Sequence, residues 1–138
     1  MTAKDLLNEA HGVREIISAN FDEIKELNNM IENVKYLQSI TASHKVNSKE
    51  YEELIIKIEN QKEFIFTENK KYESLLVNIR LMINKIDNEN YKKLLTERYL
   101  NFKSFEKISN DIGYSMRNVY EIHNKAVAFF AKVNELHL

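Results

Sequence analysis

From Ala3 to about Ile40 the apolar residues recur in alternating steps of three and four: Ala10, Val13, Ile17, then Ile24, Leu27, Ile31 and Val34. A seven-residue repeat of this kind predicts a long amphipathic helix with one apolar seam. Asn20 falls on that seam. Either it turns inward and fixes register at some cost in stability, or Phe21 rotates in and Asn20 stays wet; the repeat allows both. Gly12 lies early in the run, where glycine weakens a helix by about 1 kcal/mol relative to alanine, so fraying of the first turns is expected.

The stretch "TASHKVNS" interrupts the pattern, and Asn47 followed by Glu50 predicts a capping box opening a second helix. From about 49 to 86 its seam holds Tyr51, Ile55, Ile58, Ile65, Tyr72, Leu76, Ile79, Ile83 and Ile86, with polar Lys62 and Asn69 at two seam positions. Two such helices joined by a short loop form an antiparallel hairpin. Leu37, Ile40, Phe64, Phe66 and Leu75 point away from the seam, and self-association would cover them.

"KIDNENYKK" ends the second helix, with Asp87 or Asn88 able to cap the next. Shorter helices follow at about 89–100, with Tyr91, Leu94, Leu95 and Tyr99 inward, at 105–112 and at 116–134. The expected fold is all-α: a long hairpin over 1–87, for oligomerisation or partner binding, then a three-helix unit over 88–138.

The last two helices carry a specific spacing. Ile108 and Ile112 share a face of the first, Gly113 follows, and Val119 and Ile122 share a face of the second, which is the helix-turn-helix pattern. The residue opening the turn must take positive φ, which glycine does without steric cost. Tyr114 is expected to plug the turn against the core, Ser115 to cap the following helix, and Ser109 to keep the crossing close. On the last helix Val119, Ile122, Ala126, Phe129 and Val133 lie on one side. The opposite side begins with Arg117, Tyr120, Glu121 and Asn124 and continues with Ala128 and Ala131, which offer nothing to read.

That composition suits a major groove: Arg can bond guanine, Asn adenine, Glu can accept from cytosine, and Tyr can pack on a thymine methyl or bond a phosphate. Lys103, Ser104, Lys107 and Lys125 stand at helix ends or flanks where phosphates would lie, and the start of the 105–112 helix adds partial positive charge. A solvated helix face carries the same residue types, so the preceding turn gives the group its meaning.

The segment "LLTERYLNFKSFEKISNDIGYSMRNVYEIHNKAV" resembles region 4 of bacterial sigma factors in its Arg-Tyr pair, serine-capped helix, Ile-Gly step and following serine. The whole layout is similar to ArpU/RinA-like late-gene transcriptional regulators of phages and prophages, although only residues 94 to 127 carry specific motif information. The resemblance implies a phage-encoded regulator that binds double-stranded DNA in a bacterial cytoplasm, with host RNA polymerase or a phage regulatory protein as partner. Met116 stands where sigma factors often have arginine after the cap, so their promoter preference does not carry over.

Charge refines this picture. Of 138 residues, 30% are charged and the net is −1, so no global field draws the chain to polyanions. The balance is local: residues 1–87 carry 12 basic and 15 acidic side chains, whereas 88–138 carry 8 and 6. Absence of cysteine removes disulfides and thiolate chemistry. No signal-peptide stretch and no run of about 18 apolar residues is present, so a soluble, intracellular, non-membrane protein is expected. His11, His44 and His137 lack partners at metal-ligand spacing, and His123 is expected to be packed. With no phosphate-binding glycine loop and no nucleophile beside a base, neither cofactor nor enzymatic activity is expected. The competing reading is a non-enzymatic protein-binding module whose helix-turn-helix serves only packing.

Overall fold

Every regular element among the described residues is helical, as the hydrophobic periods require. The structure, a computed structural model, describes residues 1–41 and 48–138. The helices are α1 (Ala3–His11), α2 (Val13–Thr41), α3 (Ser48–Ile83), α4 (Glu89–Leu95), α5 (Phe105–Ile112) and α6 (Met116–Val133), with a π turn at Thr96–Leu100 directly after α4. The cap expected at Asn47 lies outside the described residues. Among those described, no helix is long and apolar enough to cross a membrane.

The expected continuous helix from Ala3 is instead two helices that part at Gly12, whose N–H turns back to the Ala10 carbonyl. Fraying is not the outcome. Thr2 and Asp5 form a reciprocal capping box at 3.1 and 3.2 Å, and the Thr2 N–H holds the Asp5 carboxyl below its ordinary range. Ala3, Leu7 and Ala10, spaced four and three apart, are fully buried. The Ala3 N–H also donates to the His137 carbonyl at 2.7 Å, tying the first helix to the last residues described.

The chain forms two compact units, Met1–Glu15 with Tyr72–Leu138, and Ile16–Lys71. A division at residue 87 was expected; the structure groups the chain differently. The reason is burial: Leu7 and Ala10 of α1 and Ile79 and Ile83 of α3 share one core with Leu95, Tyr99, Leu100, Ala126 and Phe130.

Within the 16–71 unit, Ile24, Leu27, Ile31 and Val34 of α2 pack with Ile58 and Ile65 of α3, flanked by Tyr51 and Ile55. The two readings of Asn20 are decided here. Its Nδ2 donates to Asn69 Oδ1 at 2.8 Å, Asn69 is only 5% exposed, and Phe21 is 49% exposed. The bond joins an early position of α2 to a late one of this stretch, as antiparallel neighbours must. Lys62, at the other polar seam position, is half-buried and pairs with Glu59 at 3.5 Å.

In the other unit Asn88, not Asp87, caps α4, accepting from the Tyr91 N–H at 3.1 Å. The expected helix over 89–100 changes character at Thr96, where the Asn101 N–H reaches the Thr96 carbonyl at 2.9 Å. Leu94 and Leu95 just before this turn and Tyr99 and Leu100 within it are all buried. After α6 the Leu136 N–H bonds the Ala131 carbonyl at 2.8 Å around Glu135, which takes φ 55°.

On α6 the buried residues are Val119, Ala126, Val127, Phe130 and Ala131, while Ile122, Phe129 and Val133 are half-buried. Ala131 was expected on the outward side and is buried instead. Its half of α6 is covered from more than one side, because α6 packs on α1 and α4 as well as α5.

Docking of α1 has a direct check. Leu7→Ala removes a fully buried side chain, so urea denaturation is expected to show a loss of about 2–5 kcal/mol, where a frayed helix would lose almost nothing.

Candidate nucleic-acid interface

The turn between α5 and α6 is Gly113, Tyr114 and Ser115. Gly113 has φ 73° and ψ 19°, and its N–H bonds the Ser109 carbonyl at 3.0 Å. A Cβ added there meets no atom within 4 Å. Glycine is therefore required by backbone torsion and not by crowding. Ser115 caps α6 by accepting from the Asn118 N–H at 3.1 Å, and α5 and α6 close over a core of Leu94, Ile108 and Val119.

Two details of the turn differ from expectation. The Tyr114 ring is no plug, since the residue is 42% exposed. Its backbone does the work instead, the Tyr114 carbonyl accepting from Ser109 Oγ. This accounts for serine at 109: its hydroxyl bonds the turn directly, which alanine could not do.

The first turns of α6 present the expected face. Met116, Arg117, Tyr120, Glu121, Asn124 and Lys125 are all exposed, and Asn118, not singled out from the sequence, is exposed beside them. Arg117, with an 89% exposed side chain, lies 3.4 Å from Glu121 one turn on. That pair is open to solvent and weak enough to be exchanged for a ligand. Tyr120 rests its ring 5.0 Å from that of Phe105, which restricts it to one side of the face.

The proposed phosphate anchors are arranged otherwise. Ser104 uses its hydroxyl to cap α5, accepting from the Lys107 N–H at 3.1 Å. Lys103 lies between Glu97, in direct ion-pair contact, and Asp111 at 3.1 Å. Lys107 pairs with the other Asp111 oxygen at 3.1 Å. The bonds with Glu97 and then Asp111 raise the Lys103 ammonium above its ordinary value; the bond from Lys103 lowers the Glu97 carboxyl, and those from Lys107 and then Lys103 lower that of Asp111. Lys125 alone of the four stands on the outward face of α6.

Arg98 and Tyr99, the Arg-Tyr pair of the sequence, act as positioning residues through contacts that spacing alone did not give. Arg98 donates to the Lys103 carbonyl at 3.1 Å and lies 4.0 Å over the Phe105 ring, holding the chain that enters α5. Burial pushes the Tyr99 phenol up, and its hydroxyl is hydrogen-bonded to His123 Nε2 at 2.6 Å, donating to that nitrogen in the tautomer that leaves it unprotonated. Burial, then the charges of Arg98 and Lys4, lowers the His123 imidazole, against a smaller opposing bond from Asn124. The Lys107–Asp111 pair, four residues apart, was legible in the sequence; Glu97 and Arg98 were not, because only the fold brings them to the loop.

A cleft of about 230 Å³ lies beside the turn, floored by Leu94, Ile108, Ile112 and Ile122. Glu97 and Asp111 at its rim are the carboxylates bound to Lys103.

No family model, curated protein or solved structure matches the chain. The reading of the face therefore stands on its own geometry and chemistry.

Gly113→Val is expected to destabilise the unit containing α5 and α6 by about 1–3 kcal/mol, through positive φ alone. An unchanged melting curve would contradict the turn. A second expectation concerns pH. His123 is neutral in the fold with a lowered pKa, whereas the unfolded chain takes up a proton near pH 6.5. Stability is therefore complete above about pH 6.5 and falls as pH drops below it. Glu97 and Asp111, lowered in the fold, act in a separate window, where stability is lost as pH falls below about 4. His123→Gln, which keeps an acceptor for Tyr99, should flatten the first decline in melting temperature and leave the second.

Proposed function

We propose that the chain is a non-enzymatic, phage-type transcriptional regulator that reads the major groove of double-stranded DNA with the first turns of α6. The observation that carries this is the exposed set of Arg117, Tyr120, Glu121 and Asn124, placed directly after a three-residue turn opened by Gly113 at φ 73° and capped by Ser115. In this reading α5 lies across the backbone, α6 enters the groove, and Lys125 meets a phosphate. The protein works in a bacterial host cytoplasm as a homo-oligomer, with host RNA polymerase or a phage regulatory protein held by the 16–71 unit.

The other reading, a protein-binding helical module, is favoured by one observation: Lys103 and Lys107 are held by Glu97 and Asp111 and so contribute little to a polyanion site. Lys103→Ala is then a poor phosphate probe, because it also loosens the loop before α5. Lys125 is the better one.

Selection from random duplex DNA tests the proposal. A preferred sequence is expected, and Arg117→Ala or Asn124→Ala should each lose roughly 1–3 kcal/mol on it with relaxed preference at particular base pairs. Lys125→Ala should weaken all duplexes alike and make the salt dependence shallower by about one counterion. No preference at low salt, with none of these changes altering binding, would leave the protein-binding module.

A further inference from the structure

We propose that Tyr120 and Phe105 form an aromatic corner that reads the 5-methyl group of a thymine, which makes Phe105, a residue of α5, a determinant of sequence preference. This rests on the regulator reading and deepens it, by naming what one edge of the reading face recognises and what holds that edge in place.

The exposed face at the start of α6 is not uniform. At 100° per residue Met116 and Tyr120, one turn apart, share one edge, and Arg117, Glu121 and Asn124 lie round to one side of it with Asn118 and Lys125 beyond them. The first edge is apolar, and Phe105 meets it. The Tyr120 ring lies 5.0 Å from that of Phe105, the two planes inclined at 55°. Phe105 is itself held on other sides: the Arg98 guanidinium stands 4.0 Å over its ring, and the His123 ring meets it edge-on at 4.9 Å. His123 is hydrogen-bonded in turn to buried Tyr99 at 2.6 Å. The π turn, α5 and α6 thus converge on one ring. No such support reaches Arg117, whose exposed side chain pairs with Glu121 alone. A reading group that is ordered before contact costs less to immobilise than one ordered on contact, so the restrained ring discriminates more sharply.

The chemistry of the corner selects its occupant. Base edges in the major groove offer hydrogen-bond donors, acceptors and one apolar group, the thymine 5-methyl. Two hydrocarbon ring surfaces with a methionine one turn away match that group. Phosphate is the other group a tyrosine could meet, and the charges here disfavour it. Arg98 is engaged by the Phe105 ring and the Lys103 carbonyl, Arg117 by Glu121, and exposed Glu106 directly follows Phe105. Tyr114 is exposed as well, but it precedes α6 and its ring has no ring partner among the described residues.

Uracil substitution in the selected duplex is the test, because it removes the 5-methyl and leaves every hydrogen-bonding group of the base in place. With the full chain, replacing thymines one at a time by uracil should weaken binding about fourfold at one position, the effect of taking one methyl-sized group out of water. Tyr120→Ala and Phe105→Leu should each make thymine and uracil bind alike there while preference at the other base pairs persists, which a merely loosened α5 would not give. Tyr120→Phe and Phe105→Tyr, which keep both rings, should retain the difference, as should Tyr114→Ala and Arg117→Ala. The double change Tyr120→Ala with Phe105→Leu should lose no more at that position than either alone. Phe105→Met, which fills similar space without a ring, replaces Phe105→Leu should the latter melt early. Absence of any uracil-sensitive thymine, sensitivity that survives Tyr120→Ala or loss of the Phe105 ring, or a Tyr120→Phe that weakens all duplexes alike, as loss of a phosphate bond would, overturns the proposal. Those outcomes leave the regulator reading standing, because a sequence has been selected; if no duplex sequence is preferred, that reading falls and this inference with it.

Discussion

The π turn at Thr96–Leu100 carries the two side chains that tie down α5 and α6. The turn follows buried Leu94 and Leu95 and itself carries buried Tyr99 and Leu100. It also sends Tyr99 to His123 on α6 and Arg98 to the Lys103 carbonyl and the Phe105 ring at the entry to α5. One irregular turn thus holds both helices of the candidate reading unit.

Around that turn the polar groups work mainly in pairs. Lys103 is tied to Glu97 and Asp111, Ser109 to the Tyr114 carbonyl, and Asn20 to Asn69 in the other unit. Each pair satisfies groups that would otherwise be costly to bury, or closes a loop that has few apolar contacts. The consequence for function is a division of labour. Basic residues before α5 are engaged in holding the chain, while those at the start of α6 remain on the surface.

The apolar surface is divided in a similar way. The 1–15 and 72–138 segments close over Phe130, Leu7, Ile79 and Leu95, whereas the 16–71 unit seals one seam and leaves large apolar side chains in water. A two-helix unit has too little interior to hide them, and that shortfall, more than any one contact, makes the hairpin a candidate interaction surface.

Local rules were sufficient for much of this chain. The seven-residue repeat, the glycine at positive φ, the cap at Ser115 and the outward face from Arg117 to Asn124 all follow from spacing and torsion, which act over a few residues. Other features required partners distant in sequence. Gly12 reads as a weak point, but α1 is held by burial of Leu7 against α3 and α6 and by the bond from Ala3 to His137. Asn20 and Phe21 compete for one seam position, and only Asn69, across the hairpin, decides between them. Ala131 reads as outward until α1 and α4 cover its side of α6. Lys103 reads as a phosphate anchor until Glu97 and Asp111 arrive from two other elements. Periodicity specifies which face of a helix is apolar; only the tertiary structure specifies how many neighbours cover that face and which charges meet beside it.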